Sequence, residues 1–292
     1  MYREEAGVSS RVREVDEACG VAQAAAVMGD WWNLLVLREV ARGQHRFDQL
    51  VAELAVSRRV LTERLTHLVS HGVLARSRYQ DRPPRYEYRL TERGEAFLPV
   101  LVGMQDWADR WLLGDGSLTA LPSGAESDRV RALVGTTVPP VSLPSAAGPR
   151  DVLASTATVL FAYPATGRPT PHPAGWDGIA GTIGCTLENR LFRDRLPAFT
   201  AAGVAVHGVS TQRPEEQAAF AAEEGIPFPL LSDVDLVLAA ALRLPTVRIA
   251  QQQRLKRLVL VADRDRVVRH TIFPVTDIPA AVDEALTVGA SL

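Results

Sequence analysis

The stretch GTIGCTLENRLFRD, Gly181 to Asp194, decides the reading of the second half of this chain. A glycine-rich approach leads into a charged run of helical character, and Cys185 stands at the junction. A cysteine acts as a nucleophile when it is a thiolate, and a helix N-terminus with an arginine close by lowers its pKa toward neutrality. The context predicts a reactive thiol at the start of a helix, with the Thr182 hydroxyl three residues earlier placed to hydrogen-bond it. The only other cysteine, Cys19, is far upstream, so no second thiol stands nearby to complete a redox reaction.

Outward from this point, apolar β-branched runs alternate with helical ones. TVLFAYP ends at Pro164, ahead of a Gly/Pro-rich insertion over 165–181. Beyond the helix come VAVHGVS, PEEQAAFAAEEG, LLSD, LVLAAALRL, RLVLVAD and IPAAVDEAL. That alternation predicts an α/β domain with a largely buried sheet. His172 and His207 lack metal-ligand spacing with the cysteines, and no glycine-rich phosphate loop is evident, so neither a metal nor another cofactor is expected.

A chain of 292 residues fits two domains, each large enough for its own core. With 47% apolar and 23% charged residues it has a soluble composition, and no apolar run approaches the roughly 20 residues of a membrane span. The N-terminal MYREEAGVSSRVREVDEA is charged and lacks the apolar core of a signal peptide. The expectation is a cytoplasmic protein whose two cysteines are thiols rather than a bridge. The formal net charge of −2 hides an uneven distribution: between Ser57 and Arg93, nine arginines face four carboxylates, a surplus of five positive charges. The segment 114–129 is rich in Gly, Ser, Ala and Asp and weakly periodic. It sets the expected division: a first domain over 1–113, a linker over 114–128 and a second domain over 129–292.

In the first domain, WWNLLVLREVA (Trp31–Ala41) reads as an apolar-striped helix and Phe47–Leu54 as a second, shorter one. A third opens at Ser57 as N-cap and stops at Gly72. Its residues Val60, Leu61, Leu65, Leu68 and Val69 share one face, while Arg59, Thr62, Glu63 and Thr66 point the other way. Two short helices, the second with a polar, arginine-led outer face, are what a helix-turn-helix requires. VLARSRYQDRPPRYEYRLT then forms a hairpin with Arg82 and Arg85 at its tip, suited to phosphates or a minor groove. Arg58, Arg59, Thr62 and Thr66 are the candidates for the major groove of double-stranded DNA. A charge run alone would read as a solvated surface, but the order helix, helix, polar-faced helix, basic hairpin favours DNA.

These residues resemble the HxlR family of winged-helix transcriptional regulators over about Cys19–Leu113. The resemblance rests on Gly29 and Trp32, Arg46-Phe47-x-x-Leu50, Leu61-Thr62-x-Arg64-Leu65, and Pro83-Pro84-Arg85-Tyr86-x-Tyr88-x-Leu90-Thr91-x-x-Gly94; Trp31 stands where the family usually has a basic residue. It implies a homodimer, with the helix over 96–113 as the dimerisation element or, more simply, an intrachain core helix. It also implies a redox-switch role for Cys19, whose alternative fate is that of a small buried apolar residue.

The second half resembles the peroxiredoxins of the AhpC/TSA family, with a thioredoxin-like fold, over about Leu133–Leu286. Val138-Pro139, Tyr163-Pro164, Thr182-x-x-Cys185-Thr186, Phe192-Arg193-Asp194, Gly208-Val209-Ser210, Pro227–Asp233 and Arg257 before LVLVAD carry it. The resemblance implies that Cys185 attacks peroxide in a pocket shaped by Thr182, Pro164 and Arg257, with Arg254 the competing arginine. Relatives with a local resolving thiol carry it five residues after the peroxidatic one, where this chain has Arg190.

The expectation is therefore an α+β winged helix-turn-helix domain followed by an α/β thioredoxin-like domain, acting as a regulator that senses peroxide through Cys185. The rivals are a one-cysteine peroxidase reduced by an external thiol, and a regulator answering a noncovalent ligand.

Overall fold

The computed structural model describes residues 18–167 and 176–292. The charged N-terminal stretch and most of the insertion, His172 included, lie outside the described residues. The chain forms two compact units, Met1–Phe97 and Leu98–Leu292.

In the first unit, α1 (Gly20–Met28) is followed by α2 (Trp31–Ala41), which Asp30 caps by accepting the Trp32 amide at 2.9 Å. Then come α3 (Phe47–Leu54) and α4 (Arg58–Ser70). The Ser57 hydroxyl accepts the Val60 amide at the start of α4, and Gly72, with φ of +66°, follows its end. Leu61, Leu65 and Leu68 are buried with Leu37, Val40 and Leu50, as the helical spacing predicts. Each such side chain contributes about 1.5–3 kcal/mol through burial. Strands β1 (Leu74–Gln80) and β2 (Arg85–Leu90) pair antiparallel with Leu74 opposite Leu90, forming the wing. Thr91 caps the short α5 (Glu92–Glu95).

The second unit opens with α6 (Leu98–Trp111). Gln105 on this helix donates to the Leu244 carbonyl at 3.0 Å, and Asp109 accepts both guanidinium arms of Arg129 at 2.9 and 2.6 Å. These bonds hold α6 to the second compact unit, while the expected sequence border falls at 113/114. Trp107 and Trp111 keep more than half of their surface exposed. The segment expected as a linker carries structure of its own. Within 114–128 a capping box between Ser123 and Glu126 starts α7 (Gly124–Arg131), and Lys256 donates to both the Leu121 carbonyl and the Glu126 carboxylate at 2.9 Å. Low helical periodicity concealed a segment held by buried polar bonds.

The short pair β3 (Ser142–Leu143) and β4 (Arg150–Asp151) precedes β5 (Thr158–Ala162), the centre of a five-stranded sheet. Helix α8 (Cys185–Ala201) leads to β6 (Ala205–Ser210), α9 (Pro214–Glu224), β7 (Leu230–Ser232) and α10 (Val237–Leu242). A separate hairpin, β8 (Thr246–Ile249) with β9 (Gln252–Leu255), is followed by β10 (Leu258–Ala262), β11 (Val268–Ile272) and α11 (Ile278–Gly289). The sheet order is β11-β10-β5-β6-β7, with β5, β6 and β7 parallel and β10 antiparallel to both its neighbours. Every residue of β5 and β10 is buried, which explains why both read as unbroken apolar runs. Val159, Phe161, Val259 and Val261 pack with Phe192 and Phe199 of α8, Val282 of α11 and Cys185 itself in one buried cluster, so the sheet supports the helix that carries the thiol. Among the described residues no helix is long and apolar enough to cross a membrane.

Candidate functional site

Cys185 is the first residue of α8 and only 3% exposed. Gly184 before it adopts φ of +104°, and a Cβ there would meet an Arg257 guanidinium nitrogen at 3.1 Å and Ile278 at 2.7 Å. Glycine thus permits both the turn and the approach of the arginine. Arg257, one residue ahead of β10, places Nη2 3.2 Å from the Cys185 sulfur and 2.9 Å from the Ile183 carbonyl. Its Nη1 lies 3.5 Å from a Glu188 carboxyl oxygen, one helical turn beyond the cysteine. The Ala165 backbone amide also points to the sulfur. Arg254, the competing arginine, donates instead to Thr211 and Gln252.

The electrostatics differ from the sequence expectation. Burial pushes the Cys185 thiol up to about 11, Arg257 opposes that rise, and Glu188 adds to it. The helix start and the arginine do not bring the thiol toward neutrality, because water is excluded from all three groups. Burial likewise lifts the Glu188 carboxyl to about 8, against the pull of Arg257. Near neutral pH Glu188 is therefore largely protonated, which leaves the Arg257 charge to the sulfur. Nothing in the sequence reading singled out Glu188; its signal was a carboxylate three positions after a cysteine on the same helical face.

The Thr182 hydroxyl is also arranged differently from expectation. It faces the Trp176 and Ile179 carbonyls at 3.0 and 2.8 Å, while its own carbonyl accepts from the thiol at 3.5 Å. Thr182 braces the turn that delivers the cysteine. Pro164 is buried just after β5, and the adjoining Thr166 is fixed by Gln212, which accepts its amide at 2.7 Å and donates to its carbonyl at 2.9 Å. A cavity of about 280 Å³ opens beside the site, lined by Arg257, Ile183, Phe273, Ile278, Ala120 and Leu121. At the position five residues on, Arg190 forms a two-armed pair with Glu224 at 2.6 and 2.7 Å, tying α8 to the end of α9. Among the described residues no group of three or more His, Cys, Asp or Glu side chains is placed to hold a metal.

In the first unit, Arg58, Arg59, Thr62 and Thr66 are all exposed on α4, and Arg82 and Arg85 are exposed at the wing tip. Arg58 pairs with Asp48 and Arg59 with Glu63, each at 3.0 Å in solvent, where such pairs exchange readily for phosphates. Arg46, Phe47, Arg58, Tyr79 and Arg85 line a concavity of about 490 Å³ between the helices and the wing. Arg46 and Tyr79 were not in the sequence-derived set, although Arg46 lies over the Tyr79 ring at 4.6 Å. Cys19 is exposed at the N-cap of α1 and makes no side-chain capping bond, so the buried-apolar alternative does not hold.

Two family models match the chain: the HxlR-like helix-turn-helix over residues 27–115 and the AhpC/TSA family over residues 178–271. The second span includes Thr182, Cys185, Glu188 and Arg257. An uncharacterized HTH-type transcriptional regulator of Synechocystis is 37% identical over 112 residues, 38% of this chain and 83% of the relative. One from Mycobacterium bovis is 40% identical over 96 residues, 33% of this chain and 61% of that relative, so the match spans under two thirds of its length. Among solved structures, the peroxidoxin BcpB of Mycobacterium tuberculosis is 30% identical, with 55% of this chain and 97% of that one covered at a TM-score of 0.46. The chain belongs to the HxlR-like helix-turn-helix transcriptional regulators and carries, behind its DNA-binding unit, a peroxiredoxin-like domain of the AhpC/TSA family.

Proposed function

We propose that the protein is a cytoplasmic, homodimeric regulator whose affinity for DNA changes when Cys185 is oxidised by a peroxide. The observation that carries this reading is the Arg257 guanidinium 3.2 Å from the sulfur. A fixed cation and the Ala165 amide are placed to stabilise charge as it develops, even though the resting thiol is held protonated. In the reaction, the sulfur attacks the terminal oxygen of the hydroperoxide, an S–O bond forms as the O–O bond breaks, and the departing oxygen leaves as water or alcohol with the thiol proton. Cys185 becomes a sulfenic acid. Arg257 holds the sulfur and the reacting oxygen, Pro164 and Thr182 shape the loop, and Arg58, Arg59, Thr62, Thr66, Arg82 and Arg85 hold the DNA.

A high thiol pKa gives a small thiolate fraction and slows attack in a sensor and in a peroxidase alike, so it does not distinguish them. Arg190 at the resolving position supplies no local thiol to reverse the sulfenic acid, which favours a sensor that reacts once over an enzyme that turns over. Reduction then falls to an external thiol, or to Cys19 of the same or the partner chain, which would expel water from the sulfenic acid and close a disulfide. That bridge requires the two Cα atoms to come within about 7 Å. Sulfenate trapping with mass spectrometry tests the primary step: Cys185 labels faster than Cys19, and Arg257→Ala abolishes the difference. Equal labelling of both cysteines would remove the basis for the proposal. Nonreducing peptide mapping separates the later steps, since a Cys19–Cys185 peptide supports the relay and persistent Cys185 sulfenate beside free Cys19 excludes it. Sustained peroxide consumption with thioredoxin or a small thiol would favour the one-cysteine peroxidase.

A further inference from the structure

Arg254 is only 7% exposed, yet among the described residues no carboxylate lies within ion-pairing distance of its guanidinium. Its two terminal nitrogens meet neutral oxygens, those of Thr211 and Gln252, and among the described residues its Nε has no hydrogen-bond partner. A buried cation without a counter-ion is costly, and native structures normally pair it. Burial indeed depresses the Arg254 pKa, and Glu216, the carboxylate that most opposes this, is already engaged in capping α9 through the Arg213 amide at 2.9 Å.

Arg254 lines a cleft of about 470 Å³, together with Thr211, Arg213, Glu216, Val234, Leu236 and Gln252. Two arginines against one glutamate leave a surplus of one positive charge. The Gln252 carbonyl oxygen already sits on Nη2, beside the free Nε, and its side chain is exposed and can swing away. A planar two-oxygen anion would then span Nε and Nη2, the geometry in which guanidinium prefers carboxylate. Val234 and Leu236 supply an apolar wall beside that position. The hairpin that presents Gln252 and Arg254 turns through Ala250 and Gln251, at φ of +47° and +68°, a left-handed pair unusual for residues other than glycine and asparagine.

We propose that this cleft binds a small carboxylate-bearing molecule, with its charge on Arg254, supported by Arg213, and its aliphatic portion against Val234 and Leu236. The carboxylate has two chemical sources, a free organic acid acting as effector or the acid end of an organic hydroperoxide; only the second rests on the peroxide reading above. The first measurement is calorimetric titration of the Cys185→Ser protein with hexanoate, with hexanol and inorganic phosphate as controls. Saturable hexanoate binding is expected, at least about tenfold weaker after Arg254→Gln or, in case that buried substitution misfolds, after Arg213→Gln on the surface. No saturable hexanoate binding, equal binding of phosphate, or undiminished affinity in both variants would overturn the site. The second measurement compares oxidation rates of Cys185 in the intact protein by a carboxylate-bearing hydroperoxide and by neutral tert-butyl hydroperoxide. A preference of about tenfold for the acid that disappears in the Arg213 variant assigns the carboxylate to the substrate. No preference, alongside hexanoate binding, assigns it to a free effector.

Discussion

Two arginines, one in each unit, stand in opposite environments. In the first, Arg59 on α4 is 89% exposed and pairs with a neighbouring surface glutamate, Glu63. In the second, Arg257 is 6% exposed and its guanidinium lies against a sulfur, a carbonyl and the buried carboxyl group of Glu188. Exposed arginines are screened, interchangeable and able to release a surface carboxylate for a phosphate, which suits a long charged partner read at many points. A buried arginine acts on a few atoms at fixed distance and tolerates no change of place. On the function proposed above, one residue type serves attraction of DNA in one unit and local chemistry in the other, and substitutions should separate these uses.

The largest effect is expected at Arg257. Its replacement by alanine should slow Cys185 oxidation by hydrogen peroxide by about 10²–10³-fold, as loss of a preorganised charge donor commonly does, measured by the rate of sulfenate trapping. Next is Arg59→Ala, which should cost about 1–3 kcal/mol of discrimination between operator and unrelated DNA if the side chain reads a base edge. Equal weakening on both DNAs would reassign it to the backbone. Arg85→Ala should weaken binding to every sequence and reduce the slope of log affinity against log salt by about one.

Glu188→Gln sharpens the contrast by removing the buried carboxylate that shares Arg257. Because Glu188 raises the thiol pKa, the variant should form thiolate at lower pH, seen as a shift in thiolate absorbance. The effect on stability has the opposite pH sense to an ordinary ion-paired carboxylate. With a pKa of about 8 in the fold against an ordinary 4.5, Glu188 contributes stability below pH 4.5 that is lost as pH rises through 8. The melting temperature of the wild type should therefore fall more steeply between pH 5 and pH 9 than that of the variant. The smallest effect is expected for Arg190→Ala, an exposed partner of Glu224, whose loss should lower the melting temperature only slightly.

Elements with a strong local signal were legible in the sequence. The leucine spacing of α4, the Ser57 cap and Gly72 define that helix without reference to the rest of the chain, and the buried runs of β5 and β10 announce themselves as strands. The segment 114–128 was not legible, because its order comes from distant partners: the chain's single lysine, Lys256, and Asp109, the latter reached through Arg129 of α7. The Ser123-x-x-Glu126 capping box was the one local clue. At the thiol, the cysteine and the arginine were found by motif, but their electrostatics were not, since burial depends on the packing of Phe192, Phe199 and α11 against the sheet. The β8–β9 hairpin escaped for a related reason. Its turn uses Ala250-Gln251 where a sequence reading looks for asparagine and glycine.

The central claim, that oxidation of Cys185 changes DNA binding, is tested most directly by footprinting the intact protein on its operator, reduced and after stoichiometric peroxide, beside Cys185→Ser. The account predicts a changed footprint or affinity in the wild type that a reducing thiol reverses, and no change in the variant. A wild type indifferent to peroxide, or a Cys185→Ser protein that responds equally, would contradict it.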